Sequence, residues 1–559
     1  TTNLDVVDVD GAVNFAADVT FADGADIITA TAGANNFRAG VNAGNSIVSG
    51  GTTNTVVGNE AGTAITTGDS NTALGFEALA TEDAHGLNTA IGYQALKAMN
   101  AGADGYTTAV GYLTGVKITT GLRNSLFGAG TGDELLTGSD NTAFGAFALS
   151  TDTAGSKSTA FGYASLNAQV FSSATDSNNT AVGYNAGAAI TTGANNTAVG
   201  KGVLQATTTG AANTGIGTNA LAANTTGLHN VGLGSLALQA NTTGNQNTAT
   251  GYQTMFSNTT GTRNAASGHA ALYTNTTGND NSAFGYYALV LNTTGADNTA
   301  VGKGALYANT TGIYGTAVGR DALTANTTGN YNVALGGDAL KSNTTADNNT
   351  AVGTASMFTN TTGANNTAVG FQSLRANTTA ANCTAVGLNA LTANTTGNNN
   401  TAMGSLALDI NTTGANNTAF GLHALGANTT ASDNTAVGSQ ALYLNTTGTR
   451  NVAVGALSLD ANTTGQRHTA LGYAALTTNT TGSFNTALGD IALYLNTTGE
   501  SNTAISTAAL ENNTTGGNNT AIGANALKAN TTASNNTAVG TDTLDVNTTG
   551  HSNVGVGNG

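Results

Sequence analysis

The sequence predicts an all-β protein, a parallel β-solenoid (β-roll) of about 30 coils in which each coil is one 17-residue repeat. Three observations predict this fold class. A motif N-x-x-x-G returns from Asn54 to Asn553 at a step of 17 residues. The 559 residues include 76 Gly and no Pro. Only 8% of the residues are charged while 39% are hydrophobic, which argues against a highly charged disordered chain.

The repeat has the consensus N-T-A-V-G-x-x-A-L-x-x-N-T-T-G-x-x, and we number its residues as positions 1 to 17. Two insertions interrupt the spacing, near 104–106 and near 171–178. An earlier motif at Asn36 has the features of a degenerate first coil. We therefore assign 36–559 to one β-solenoid repeat domain.

The repeat suits a solenoid turn better than other repetitive folds. Seventeen residues are too few for a helix pair or a propeller blade. Gly and Asn supply the left-handed corners that join short strands. Asn side chains stacked along an axis form hydrogen-bonded ladders. The lack of Pro fits this fold, because every coil has to donate backbone hydrogen bonds to its neighbour.

Positions 9 and 12 are predicted to face the coil interior. Most coils have Leu at position 9 and Asn at position 12, but four have Gly at position 9 and a large apolar residue at position 12. Because the apolar side chain moves between the two positions, we expect both to approach one interior space. Two inherited repeat subtypes would explain the same pattern, and the two interpretations are compatible. The predicted interior residues are Leu306, Ile65, Ile118, Leu135 and Ile190.

The NTAVG strand is predicted to be buried on both faces. Neighbouring side chains of a strand alternate between faces, so Ala at position 3 and the apolar residue at position 4 point in opposite directions. One face covers the coil interior, and the other needs a second body, because an exposed apolar stripe marks an interface. We expect an interchain seam in a rod of several chains. Its position-4 residues include Val301, Val318, Leu335, Val352 and Phe420.

Two adjacent coils interrupt this apolar column, since Thr250 and Ser267 occupy position 4. If the column is axial, their hydroxyl groups would form polar rings, and we expect an ordered water or ion beside them. The alternative is sequence drift in a tolerant repeat.

The repeat resembles those of two groups of fibrous proteins. The NTAVG unit resembles the NSxAIG-type unit in the heads of trimeric autotransporter adhesins. The longer form NTAVGxxALxxNTTG is similar to repeats in the tail fibres of tailed phages, and this resemblance covers nearly the whole chain. It implies a left-handed coil and a homotrimeric assembly. The opening stretch TTNLDVVDVDGAVNFAADVTFADGADI is similar to shaft segments of such fibres, and 1–35 is predicted to be a connector of short strands.

Phage fibres of this kind often end in a C-terminal chaperone domain that cleaves itself off after trimerisation. The present sequence stops inside the repeat, at NVGVGNG, which would fit cleavage or truncation.

The composition disfavours several partners and chemistries. A formal net charge of −16 makes nucleic acid an unfavourable partner, and no apolar run is long enough for membrane insertion. The six His residues are scattered over the repeat, and no metal-ligand spacing or phosphate loop is present. Cys383 and His468 replace position-1 Asn residues, so we interpret both as tolerated substitutions. We predict no catalytic residues, no bound metal and no cofactor.

The resulting hypothesis is a structural fibre of a phage tail that projects from the virion for host-cell attachment. Its expected partners are itself, as a homotrimer, other tail or fibre proteins, and a host cell-surface glycan or protein. Tyr286, Tyr287 and Tyr307 lie at variable outer positions and suit weak glycan contacts, or they are ordinary surface residues. A bacterial trimeric cell-surface adhesin is the alternative. An ice-binding β-solenoid and a depolymerase enzyme are less favoured.

Overall fold

The computed structural model describes residues 33–559 and confirms the predicted fold class. It is an all-β, parallel β-solenoid of about 31 turns with a 17-residue spacing, and its described residues contain no helix. The predicted connector 1–35 lies almost entirely outside the described residues. The chain divides into two compact units, Thr1–Asn179 and Thr180–Gly559.

Among the described residues of the first unit, 33–179, eight three-residue strands form the solenoid ladder, and two shorter strands pair with each other. The strands are β1 (Phe37–Ala39), β2 (Thr55–Val57), β3 (Thr72–Leu74), β4 (Thr89–Ile91), β5 (Thr108–Val110), β6 (Ser125–Phe127), β7 (Thr142–Phe144), β8 (Gly155–Ser156), β9 (Thr159–Phe161) and β10 (Thr175–Asp176).

In the second unit, 23 strands form one parallel ladder in sequence order. They are β11 (Thr180–Val182), β12 (Thr197–Val199), β13 (Thr214–Ile216), β14 (Val231–Leu233), β15 (Thr248–Thr250), β16 (Ala265–Ser267), β17 (Ser282–Phe284), β18 (Thr299–Val301), β19 (Thr316–Val318), β20 (Val333–Leu335), β21 (Thr350–Val352), β22 (Thr367–Val369), β23 (Thr384–Val386), β24 (Thr401–Met403), β25 (Thr418–Phe420), β26 (Thr435–Val437), β27 (Val452–Val454), β28 (Thr469–Leu471), β29 (Thr486–Leu488), β30 (Thr503–Ile505), β31 (Thr520–Ile522), β32 (Thr537–Val539) and β33 (Val554–Val556).

The strand register places equal repeat positions on top of one another. Ala300 of β18 pairs with Ala317 of β19, and the flanking Thr and Val residues pair in the same way. The insertion near 104–106 lies between β4 and β5 and leaves this register unchanged, because Thr89 still pairs with Thr108. The second insertion contains β10, which pairs in parallel with β8. The repeat therefore keeps its hydrogen-bond register through the first insertion, and the second adds a short ladder of its own.

A glycine at position 5 ends each strand. Gly302 has a φ of +127°, and a Cβ on it would lie 2.7 Å from the carbonyl oxygen of Gly319 in the next coil. Both the conformation and the close approach of the two coils therefore require glycine. Among the described coils, Ser506 alone departs from this rule, with a φ of 103°.

Position 9 adopts a left-handed conformation that the repeat pattern does not predict. Leu306 has a φ of 51° and Leu323 a φ of 52°, which is unfavourable for a bulky residue. Both side chains are completely buried, and this burial compensates for the backbone cost. Gly62 and Gly115, at position 9 of the variant coils, adopt the same conformation without that cost.

The coil interior is narrow and is filled mainly by small side chains. Ala300 at position 3, Ala305 at position 8 and Leu306 at position 9 are inaccessible to solvent. Asn298 at position 1 and Asn309 at position 12 are also buried, so the core contains two polar columns beside its apolar ones. Buried amides are stable only when they are hydrogen-bonded, and the partners of these columns therefore determine which residues the repeat tolerates.

Candidate functional site

The position-1 Asn side chains join each coil to the next. The backbone N–H of Asn298 donates to Oδ1 of Asn281 in the preceding coil, at 3.1 Å. Nδ2 of Asn298 donates to the carbonyl oxygen of Gly312 in its own coil, at 2.9 Å. Oδ1 of Asn298 in turn accepts the backbone N–H of Gly315 in the next coil, at 2.8 Å, so one carboxamide satisfies a backbone donor and a backbone acceptor.

The position-12 Asn side chains form a second, axial ladder in the second unit. Nδ2 of Asn309 donates to Oδ1 of Asn292, at 2.8 Å, and also to the carbonyl oxygen of Gly312, at 3.0 Å. The same pattern runs from Asn224 to Asn377 and again from Asn394 to Asn547. Because all these amides point the same way, each bond polarises the next.

In the first unit, position 12 is mostly apolar. Ile65, Ile118 and Leu135 are completely buried there, as is Ile190 in the second unit, so all the predicted interior residues, including Leu306, lie inside the coil. A Cβ added to Gly62 would lie 2.8 Å from Cδ1 of Ile65. Side chains at positions 9 and 12 therefore occupy the same interior volume.

Two buried acids take position 12 in the first unit. Glu82 accepts long hydrogen bonds from the backbone N–H groups of His85, at 3.3 Å, and Ala101, at 3.4 Å. Asp152 accepts a bond from Nε2 of Gln169, at 2.7 Å. Burial raises the pKa of both carboxyl groups. Within 33–559, Glu82, Asp83 and His85 are the one group of potential metal ligands that lie close together. The carboxylate of Glu82 already accepts two backbone N–H bonds at this corner of the coil.

The position-4 side chains form a column on the outer surface of the strands, opposite the buried Ala residues of position 3. Val318 keeps 38% of its surface exposed and Phe420 keeps 50%; Val301 and Leu335 are exposed like Val318, and Val352 is half-buried. In the first unit, the rings of Phe127, Phe144 and Phe161 stack in this column with centroids 4.7 and 5.2 Å apart. Exposed Thr250 and half-buried Ser267 lie in the same column. An interchain seam and a polar ring remain predictions.

His468 replaces a position-1 Asn and keeps part of its bonding. Its backbone N–H donates to Oδ1 of Asn451, at 3.0 Å, and its Nδ1 accepts the backbone N–H of Asn485, at 3.2 Å. With Nδ1 as an acceptor, the neutral ring carries its proton on Nε2. Burial of the ring lowers the pKa of His468 to about 4. The imidazole is thus a neutral structural element of the ladder.

The outer surface of the second unit carries an aromatic cluster between Tyr252 and Tyr307. Tyr286, Tyr287 and Tyr307, which the sequence places at variable outer positions, lie together there. The remaining members were not predicted, although their spacing at positions 6 and 10 of successive repeats is visible in the sequence. They are Tyr252, Phe256, His269 and Tyr273.

No helix among residues 33–559 has the length and apolar character of a membrane span. Comparisons with protein-family models, with curated proteins and with solved structures gave no match for the chain.

Proposed function

We propose that the chain is a structural fibre of a phage tail that projects from the virion, assembles as a homotrimer and serves host-cell attachment. The observation that supports this best is the outer column of apolar position-4 side chains, which adjoins a coil whose interior is already filled. Val318 and Phe420 have no role inside the coil, and their exposed surface suits a second copy of the chain.

Because the position-4 contact recurs in every coil, a small contribution from each coil is sufficient to hold the chains together. Complete burial of one apolar side chain contributes about 1.5–3 kcal/mol, and less than half of a residue such as Val318 remains to be covered. Each coil would therefore add about 0.5–1 kcal/mol to an interchain seam. Repeated over the 31 coil strands, this contribution is enough to hold three chains together.

The polar groups of the core support a structural role. The Asn carboxamides are used in axial and corner hydrogen bonds, as Asn298 and Asn309 are. His468 and Cys383 are buried in the same columns. The chemistry of the repeat thus maintains the coil, and the variable outer positions are left for contacts with other tail proteins and with a host cell-surface glycan or protein.

Charge placed in the column tests the seam. We expect Val318→Asp combined with Val352→Asp to dissociate the assembly, because six carboxylates would be buried together in a trimer. Thr328→Asp is the matched control, since Thr328 is exposed in the same coil as Val318 and lies outside the column. A sedimentation profile unchanged by the double variant would contradict the seam.

Electron microscopy tests the biological role. Gold-labelled antibodies against the chain should decorate fibres on virions in the phage fraction of the source sample. Label confined to bacterial surfaces would instead support the alternative, a bacterial trimeric adhesin. Label on neither would contradict both roles.

An ice-binding surface is the second candidate, favoured by one observation. Thr299 and Thr316 stack at position 2 on the outer strand face, beside the position-4 column. The position-13 hydroxyls are less suitable, because Oγ1 of Thr310 donates to the carbonyl oxygen of Thr327. Thermal hysteresis at micromolar protein would support this candidate, and its absence would eliminate it.

A further inference from the structure

Seven aromatic rings line one outer face of the second unit over four successive coils. Phe256 and Tyr273 stack with centroids 5.1 Å apart and planes 8° from parallel. The ring centroid of His269 lies 5.4 Å from that of Tyr252 and 5.2 Å from that of Tyr286. Tyr287 and Tyr307 extend the cluster in an edge-on arrangement at 6.2 Å. The repeat stacks these residues because positions 6, 7 and 10 recur on the same face of each coil.

The face is concave on both sides of the Phe256–Tyr273 stack. One hollow of about 240 Å³ is lined by Gln253, His269, Tyr273, Tyr287, Val290 and Tyr307. A second hollow of about 600 Å³ is lined by Phe256, Gln205, Gln239 and small Ala residues. Phe256 lines the larger hollow and Tyr273 the smaller one, so the stacked pair stands between them. We call the two hollows and this pair together the aromatic groove.

The groove is suited to an uncharged ligand. None of the residues lining the two hollows is Asp, Glu, Lys or Arg. A chain with a net charge of −16 disfavours acidic ligands, and the groove offers no carboxylate to a cation. The contacts available are aromatic faces together with hydroxyl, imidazole and amide groups, which is the mixture typical of ligand pockets.

One polar atom of the groove still needs a partner. Oε1 of Gln239 is buried in the wall of the larger hollow and has no hydrogen-bond partner. A buried acceptor without a donor is costly. Because this oxygen is closed to solvent, the Gln239 side chain has to rotate before a ligand hydroxyl in the hollow can donate to it, and an apolar ligand offers no such donor.

We infer that the aromatic groove binds a neutral oligosaccharide chain along the coil axis. Sugar rings present apolar faces to Tyr and Phe and hydroxyl groups to Gln and His, which matches the lining of both hollows. Coils stack at a rise of about 4.8 Å, close to the length of one sugar residue in an extended chain, so successive coils meet successive residues. The inference rests on the proposed attachment function and names the chemistry of its ligand.

Binding of defined oligosaccharides to the full chain tests the inference. Cellohexaose, maltohexaose, chitohexaose and mannohexaose are the neutral probes, and an alginate hexamer is the acidic one. Because the chain has no Trp, tyrosine fluorescence reports binding without a label. We expect at least one neutral hexamer to bind and to perturb this signal. Binding of the alginate hexamer alone, or of none of the five probes, would overturn the inference.

Variants locate the site. Tyr273→Ala and Tyr287→Ala should each weaken binding about tenfold, and Gln239→Leu should also weaken it. Tyr331→Ala is the matched control, since Tyr331 also stacks on a neighbour, Tyr314, at 5.1 Å but lines neither hollow. Equal losses in the groove and control variants would overturn the inference.

The outcome separates this site from the proposed seam. If the chain is monomeric and still binds neutral hexamers, the trimer is contradicted and the oligosaccharide site is supported. A trimer that binds none of the probes would contradict the oligosaccharide site but not the seam.

Discussion

Sγ of Cys383 lies 3.3 Å from the carbonyl oxygen of Gly397, where other coils place the side-chain amide of an Asn. In the preceding coil, Nδ2 of Asn366 donates to the equivalent carbonyl of Ala380, at 2.9 Å. The thiol is a weaker donor, and Nδ2 of Asn400 from the next coil also reaches Gly397, at 3.0 Å. Burial raises the pKa of the Cys383 thiol, which is thus held protonated.

The neighbouring axial ladder is interrupted at the same coil. Oδ1 of Asn377 is buried without a hydrogen-bond partner, and Nδ2 of Asn394 donates to Gly397. In the coil before, Nδ2 of Asn377 still reaches Oδ1 of Asn360, at 2.7 Å. One substitution at position 1 therefore coincides with a missing bond at position 12.

Restoring Asn at this corner should stabilise the protein. We expect Cys383→Asn to raise the free energy of unfolding by about 1 kcal/mol, since it replaces a weak hydrogen bond with an amide bond. Slower amide hydrogen exchange in the coils from Asn366 to Asn400 would show the gain locally. Cys383→Ser is the control and should give no such gain, because its hydroxyl is too short to replace the carboxamide. Equal exchange in all three proteins would contradict the prediction.

His468 should make stability depend on pH. Its pKa is about 4 in the folded chain and about 6.5 when unfolded, so the unfolded chain binds more protons between these values. Stability contributed by the neutral ring is complete above pH 6.5 and is lost as the pH falls towards 4. The loss amounts to about 3 kcal/mol.

Paired variants isolate that effect. Thermal unfolding of His468→Asn should be less sensitive to pH over this window than that of the unchanged chain. His229→Asn is the control, because His229 is exposed at position 17. A pH dependence that survives in His468→Asn would show that other groups cause it.

Glycine at position 506 should stabilise its coil. Ser506 has a φ of 103°, a conformation that costs a residue with a side chain about 1–3 kcal/mol. Ser506→Gly should therefore raise the unfolding midpoint in denaturant. The reverse change at the equivalent residue of the preceding coil, Gly489→Ser, should lower it, since an added Cβ would lie 2.5 Å from the carbonyl carbon of Ser506. Changes of the same sign in both variants would refute this explanation.

The shared interior volume of positions 9 and 12 predicts strong coupling between them. Ile65→Ala alone leaves a cavity and should cost about 2–5 kcal/mol. Gly62→Leu alone overpacks the coil, because its Cβ would already lie 2.8 Å from Ile65, and should cost about 1–3 kcal/mol. In the double variant, the new Leu fills the cavity, so the combined cost should be smaller than the sum. Additive costs in a double-mutant cycle would contradict the shared volume.

The regular part of the fold could be predicted from sequence because the repeat itself specifies it. Equal residues 17 apart, such as Ala300 and Ala317, have to stack if one coil is one repeat, and the alternation of a strand then assigns Ala inward and Val318 outward. The left-handed conformation of Leu306 was not predictable in this way. The backbone preference of a leucine opposes a positive φ, and only the burial of its side chain compensates for that cost.

The candidate site was predictable in part. The recurrence of Tyr residues at outer positions was visible, and Tyr286, Tyr287 and Tyr307 do lie together. The groove beside them was not, since its depth depends on small residues such as Ala222 and Ala223 in neighbouring coils. Outside the site, the pairing of β10 with β8 was also not predictable, because the insertion that contains β10 does not follow the repeat.

The solution mass of the chain tests the interchain seam most directly, by light scattering coupled to size exclusion. One chain has a mass of 54.7 kDa, and three chains have a mass of about 164 kDa. We predict the mass of the trimer, with the position-4 column from Val301 to Phe420 buried between chains. A single species of 54.7 kDa would contradict the seam and leave this column exposed to water.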